Sequence, residues 1–208
     1  MHPNPAFRRT AGARNIAFVR ARSFGILTLA GPDGPLAAHI PFVLNPEGTA
    51  LEAHLVRSNP IWAAIAEPVP ALMIVSGPDG YVSPDWYGME NQVPTWNYVA
   101  VHLRGTLHRQ DVEALAPHAA ELSAQFEGRL LPKKPWTEDK MDPEALARMR
   151  RMIVPLRMEI AAIDGTWKLN QNKPEAARLA AADAIAGSGI GSELETLAAL
   201  MRDPPATE

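Results

Sequence analysis

Three short β-prone runs follow one another with only tight turns between them, and this limits what the chain can fold into more than any other feature. FGILTLAG (24–31), PLAAHIPFVL (35–44) and TALEAHLV (49–56) are joined by Gly31-Pro32-Asp33-Gly34 and Asn45-Pro46-Glu47-Gly48. Both joints are natural hairpin connections, whereas a parallel pair needs a crossover of a dozen or more residues. The runs are therefore successive antiparallel strands. Further strands are predicted at ALMIVSGP (71–78) and WNYVAVHLRGTLHR (96–109), with YVSPDWYG (81–88) as an irregular loop. A last hairpin is predicted from PLRMEIAAI and TWKLN, turning at Asp164-Gly165.

Helices fill the gaps without a regular βαβ alternation. Thr10 to Ser23 has apolar residues near helical spacing with arginines between them. Ser58 or Asn59 can cap a helix with Pro60 in its first turn, running over Ile61 to Ala66 until Pro68 and Pro70 stop it. Asp111 opens a helix that Gly128 can close, and Asp142-Pro143 opens PEALARMRRM. Alanine-rich helices end the chain, with the glycine-rich 187–191 stretch as a connector between them. Strands that return after helices favour a mainly β fold with peripheral helices (α+β), an antiparallel barrel rather than a doubly wound sheet. At 208 residues the chain suits one substantial core, or a barrel with a small helical appendage.

Composition removes whole classes of function. With no cysteine there are no disulfides, thiolate metal sites or cysteine nucleophiles, and zinc fingers are excluded. No apolar run is long enough to span a bilayer and the N-terminus does not resemble a signal peptide, so a cytoplasmic protein with no membrane partner is expected. The net charge of −3 argues against generic nucleic-acid binding, although Arg8, Arg9, Arg14, Arg20 and Arg22 precede the first acid. That basic segment is either a solvated helix face or a patch that touches phosphates. The histidines show no metal-ligand spacing, and no metal is expected. Nucleophile-elbow, phosphate-loop and dinucleotide-binding glycine patterns are missing.

The stretch His54-Leu55-Val56-Arg57-Ser58-Asn59-Pro60-Ile61-Trp62 carries the most chemistry. Alternation gives Leu51, Ala53 and Leu55 the core face and turns Glu52, His54 and Val56 away from it. Beyond them an arginine, a serine and an asparagine stand where a helix begins, which suits an anion such as a phosphate; a capped helix with Arg57 in a surface ion pair is the alternative. Val93 to Tyr98 mixes the rings of Trp96 and Tyr98 with the polar groups of Thr95 and Asn97, as a planar heteroaromatic ligand requires, although a barrel rim holds aromatics the same way. The late stretch from Trp167 to Lys173 repeats that mixture, and its Lys168 and Lys173 either neutralise a second anion or electron-rich ring or are simply solvated. His39 alternates away from Ile40 and Phe42, toward solvent or a partner subunit.

In chain order, MHPNPAFRR, HIPFVL, HLVRSNPIW, GPDGYVSPDWY, VPTWNYVAVHLRG and KLNQNK resemble the signature blocks of the PaiB family, the FMN-binding negative transcriptional regulators. The resemblance covers roughly Met1 to Lys173, and NPxW together with VPTWNY is far more specific than either alone. It implies an FMN-binding split β-barrel related to the pyridoxamine-phosphate-oxidase-like flavoproteins, homodimeric with FMN at the dimer interface, over 1–173. Residues 174–208 resemble the family only in composition, and their alanine-rich helices are expected to form a helical extension that packs on the barrel. The resemblance further implies that His54, Arg57, Ser58 and Asn59 hold the phosphate. Thr95, Trp96 and Asn97 then approach the flavin ring from the partner subunit, with Lys168, Gln171 and Asn172 carried by the KLNQN match. The family commonly enters the last hairpin through a Gly-Phe-Glu type sequence where this chain has Val154 to Glu159, and Asn170 stands where a serine is usual.

Three functions follow from these readings. The first is a repressor of transcription, responsive to redox state or a metabolite. With no helix-turn-helix pattern, its DNA contacts would come from the N-terminal arginines or from Arg148, Arg150 and Arg151. The second is a flavin-dependent oxidoreductase or flavin reductase, for which no acid-base pair need be visible because FMN carries the redox chemistry. The third is an FMN-binding or small-molecule-binding module with neither activity.

Overall fold

The structure, a computed structural model, describes residues 1–206. After a short 3-10 turn at Pro5–Phe7 the chain forms α1 (Gly12–Arg22), β1 (Phe24–Gly31), β2 (Gly34–Leu44), β3 (Ala50–Val56), α2 (Pro60–Ala64) and β4 (Val69–Val82). β5 (Thr95–Arg109), α3 (Leu115–Glu127), α4 (Pro143–Arg151), β6 (Ile153–Lys168), α5 (Glu175–Ala186), β7 (Gly191–Ser192) and α6 (Leu194–Arg202) follow. Asn59 caps α2 through its side chain, with Pro60 at the first helical position, and Asp142 caps α4 in the same manner.

The strands form one sheet in the order β1-β2-β3-β6-β5-β4-β7, and β1 also pairs with β4. β1 to β3 are hairpin-connected and antiparallel, with Leu27 opposite Ala38 and Phe42 opposite Ala53. The β1–β4 pairing, also antiparallel, sets Leu27 opposite Met73 and closes six strands into a ring. Closure removes the unpaired edge that an open sheet would present. β3 runs against β6 from Ala50–Glu159 to Val56–Ile153.

Two compact units are distinguishable, and β4, β5 and β6 carry residues of both. One comprises Val19–Ile74 and Leu103–Ala162. Its interior is filled by Leu27, Phe42, Leu51, Met73, Leu103 and Met158. The other comprises Met1–Phe18, Val75–His102 and the chain from Ile163. There Trp167 and Leu169 pack with Val82, Tyr87 and Val99 against Ala181, Ile185, Leu197 and Met201 of the last two helices.

Asp164-Gly165 is not a hairpin turn: β6 runs unbroken from Ile153 to Lys168. The glycine serves space rather than curvature, because a Cβ at Gly165 would overlap the side-chain amide of Asn15. That amide oxygen accepts the indole N–H of Trp167 at 2.8 Å, and both residues are buried. The 81–88 stretch is also more regular than an irregular loop, since Tyr81 and Val82 complete β4 and Pro84–Tyr87 form a 3-10 turn capped by Ser83. The 187–191 connector contributes Gly191 to β7, which pairs with Asp79 and Gly80. Gly191 has φ 136 and its missing Cβ is what admits the Asp79 backbone.

Gly165→Ala should therefore displace Asn15 and strip the Trp167 N–H of its acceptor, costing about 1–3 kcal/mol, the penalty for a buried unpaired donor. Gly128→Ala, where an added Cβ meets nothing within 4 Å, should stay within about 0.5 kcal/mol of the parent. Urea unfolding of the two variants side by side checks both.

Candidate functional site

The predicted phosphate residues gather at the end of β3. His54 is half-buried, while Arg57 and Ser58 are exposed. Asn59 is committed to the fold: its side-chain oxygen accepts from Ile61 N at 3.0 Å and its carbonyl from Trp62 N at 2.9 Å. The amides opening α2 are thus occupied internally, and the positive charge at this corner comes from arginine. Arg57 Nε donates to the Arg151 carbonyl at 2.9 Å, at the C-terminal end of α4, while the Arg57 backbone N–H donates to Met152 O at 2.8 Å. These contacts hold the guanidinium at the rim of a cleft of about 320 Å³.

Arg109 lines the same cleft. Its guanidinium stacks over the Trp62 ring at 4.3 Å from the centroid and donates to the Trp62 carbonyl at 2.6 Å. Two guanidiniums, each anchored by a backbone carbonyl, therefore line one cleft with Trp62, with exposed Asp111 as the carboxylate in the lining. Planar forks of N–H donors fixed in this way suit a phosphate. Sequence reasoning missed Arg109 because it stands at the end of the 96–109 run, more than forty residues from Trp62, and only the fold joins them.

His54 meets a second residue that sequence reasoning passed over. Its Nδ1 lies 3.1 Å from Nε2 of His118, which sits on the buried stripe of α3 with Leu115 and Leu122. One of the two rings must donate. If His54 donated, His118 would carry its proton on Nδ1, which is buried and has no partner among the described residues. Donation from His118 Nε2 leaves only a lone pair there, the cheaper arrangement. Burial pushes the His54 pKa down, and burial with the charge of His54 nearby pushes His118 down to about 4. Both rings are therefore held neutral at neutral pH.

The other predicted residues belong to the unit that contains Trp167. Thr95 and Lys168 are in direct contact, the ammonium donating to the threonine hydroxyl. Trp96 is half-exposed and meets Tyr81 edge-on, with ring centroids 6.3 Å apart. Asn97 points the other way, as strand alternation requires. It is fully buried, and its amide nitrogen donates to Met201 Sδ at 3.4 Å. Gln171 ties its loop to the N-terminal 3-10 turn, accepting from Leu169 N at 2.8 Å and donating to Ala6 O at 3.1 Å, while Asn172 is exposed. Thr95, Lys168 and Asn172 line one cavity of about 430 Å³. Lys168 lies on its wall, and burial lowers its pKa.

Several of the expected DNA-contacting arginines have internal partners. Arg8 pairs with Asp164 at 3.0 Å, Arg14 lies over Trp167, and Arg20 donates to Asn45 O at 2.7 Å. On α4, Arg150 pairs with Glu138 and Arg148 with Glu144.

Residues 1–162 match the family described as "Putative FMN-binding domain". Protease synthase and sporulation protein PAI 2 of Bacillus subtilis (strain 168) is 30% identical over 174 residues, which span 82% of this chain and 83% of the relative. The chain belongs to the PaiB family. Among solved structures it is similar in fold to the FAD and heme binding protein from Mycobacterium smegmatis, with a TM-score of 0.55, 20% identity and coverage of 78% and 73% of the two chains. The flavocytochrome Anf3 from Azotobacter vinelandii gives a TM-score of 0.58 at 14% identity, over 80% and 72%. The PaiB-family chain thus has the split-barrel fold of flavin-binding proteins, mainly antiparallel β with peripheral helices.

A histidine whose folded pKa is depressed binds fewer protons folded than unfolded, so the stability it secures is complete above the ordinary value of 6.5 and is lost as pH falls toward about 4. Acidification from pH 7 to pH 4.5 should therefore lower the urea midpoint. His118→Leu should flatten that dependence, as read from denaturation curves at the two pH values.

Proposed function

We propose that this protein binds FMN as a homodimer and acts in the cytoplasm as a PaiB-type negative transcriptional regulator. The observation that carries the FMN reading is the pair of anchored guanidiniums, Arg57 and Arg109, lining one cleft with Trp62. They suit the flavin phosphate, with Ser58 as an exposed hydroxyl beside them and Asn59 setting the turn. His54, held against His118, fixes the end of the strand that presents Arg57. Thr95, Trp96, Lys168, Gln171 and Asn172 are the groups for the flavin ring, reaching it from the partner protomer. The ammonium of Lys168 suits the electron-rich pyrimidine edge. Asn97 would serve by supporting Trp96 from the core rather than by touching the ring.

The regulatory part rests on membership of the PaiB family and on the name of the Bacillus relative. Since several of the arginines considered for DNA are paired internally, contact with DNA would draw on Arg9 and Arg151, both exposed. Binding to duplex DNA that weakens steeply with salt supports direct repression, and salt-independent or undetectable binding removes it.

A second reading, a flavin-dependent oxidoreductase, is favoured by the neutral His54–His118 pair. With His118 donating to its Nδ1, His54 keeps its proton on Nε2 as an oriented neutral donor that can hydrogen-bond a flavin, while the flavin itself supplies the redox chemistry. Bleaching of bound flavin by NADH or NADPH, followed by reoxidation with a small acceptor, is its signature.

The visible spectrum of the purified protein, before and after added FMN, tests the cofactor assignment. Flavin bands at about one per chain are expected, and a protein that ignores FMN refutes the site. Arg57→Ala and Arg109→Ala should each weaken FMN binding by about 10- to 100-fold, the loss of one charge-assisted contact. A fluorescence titration reads the change, and melting curves show that the fold persists.

A further inference from the structure

The cavity beside Lys168 contains more chemistry than a flavin contact uses. Two ammonium groups lie on its wall, those of Lys168 and Lys173. Neither has a carboxylate partner among the described residues: Lys168 donates to Thr95, and Lys173 donates to Gln92 and lies over the Tyr87 ring, 5.0 Å from its centroid. No aspartate or glutamate lines the cavity, so its two charges are uncompensated.

Asn170 adds the second observation. It is 2% exposed, it lines the cavity, and its amide nitrogen has no partner among the described residues. Its oxygen accepts the Tyr87 hydroxyl at 3.3 Å, so turning the amide over would only exchange one unpaired atom for the other. The residue also sits in the left-handed region with φ 62. Leaving a buried amide donor unmade is costly, and a ligand acceptor would remove that cost.

We propose that this cavity is a binding site for a small, polar organic carboxylate, held by Lys168, Lys173 and the Asn170 amide. The lining contains no arginine, and the one helical start in it is the 3-10 turn at Pro5–Phe7, whose Ala6 N–H the Asn4 side chain already accepts. It thus lacks the guanidinium fork of the Arg57 cleft, and its donors are two point charges and carboxamides, which suit a carboxylate better than a phosphate. The side chains of Asn91, Gln92 and Asn172 supply donors and acceptors for hydroxyl, amino or carbonyl groups on the ligand body, and Phe7 and Tyr87 supply apolar wall. A volume of about 430 Å³ admits a small metabolite. Thr95, Lys168 and Asn172 are also proposed ring contacts, so the inference deepens that reading by naming the class of the second small molecule.

Succinate is the probe, titrated calorimetrically into the full-length protein at constant ionic strength, without FMN and again with FMN saturating. Saturable binding of one succinate per chain is expected in both states, with inorganic phosphate at least 10-fold weaker. Lys173→Gln and Asn170→Gly, the latter keeping the left-handed backbone accessible, should each weaken succinate at least 10-fold, while Arg57→Ala should leave it unchanged. Undetectable binding of succinate overturns the proposal, as does phosphate binding of equal strength. Displacement of FMN by succinate also overturns it, because the carboxylate then takes the place of the flavin ring rather than a place beside it. A protein that takes succinate but never FMN keeps this site and removes the flavin reading, so the two fail separately.

Discussion

The antiparallel pairing of β1 with β4 is the constraint on which the rest of the sheet depends. Without it β1 to β3 would be an open meander with a hydrophobic face and a free edge. With Leu27 set opposite Met73, the ring closes and Leu27, Phe42, Leu51, Met73, Leu103 and Met158 share one interior. Closure fixes which face of β3 is inside, and hence that Ala53 and Leu55 are buried while His54 looks outward to α3. β3 itself ends in a local turn, where Asn59 N donates to Val56 O at 2.9 Å ahead of the α2 cap, and that turn sets Arg57 at the rim of a cleft.

The two cation-bearing clefts solve the handling of charge differently. Around Trp62, cations are restrained by backbone carbonyls, so their directions are set before anything binds. Beside Tyr87, cations rest on neutral oxygens and an aromatic face, arrangements that are easily exchanged for a better acceptor. The histidine pair uses a third method, burial, which keeps both rings neutral and makes acid the agent that would separate them.

Much of the fold was legible because local rules governed it. β1 occupies the residues that the turn signals delimited, the caps at Asn59 and Asp142 are those the helix-start pattern named, and alternation placed His54 correctly off the core face. The failure at Asp164-Gly165 has the opposite origin. A glycine after an aspartate is a turn signal only if the glycine is there for its backbone, and this one is there because Asn15, far away in sequence, needs its volume. The same limit applies to the candidate site. Arg57 was visible in a motif, whereas Arg109 and His118 gain meaning only from neighbours that the sheet and α3 bring to them.

The Gly165–Asn15–Trp167 contact also bears on how sequences of this kind can diverge. A side chain at position 165 is admissible only with a shorter residue at 15, and a shorter residue at 15 abandons the indole N–H, so position 167 must then lose its donor as well. Two neighbouring positions on β6 and one on α1, far away in sequence, are thereby tied into a single heritable unit, which single substitutions cross only through a less stable intermediate. Descendants should keep all three residues or replace them together.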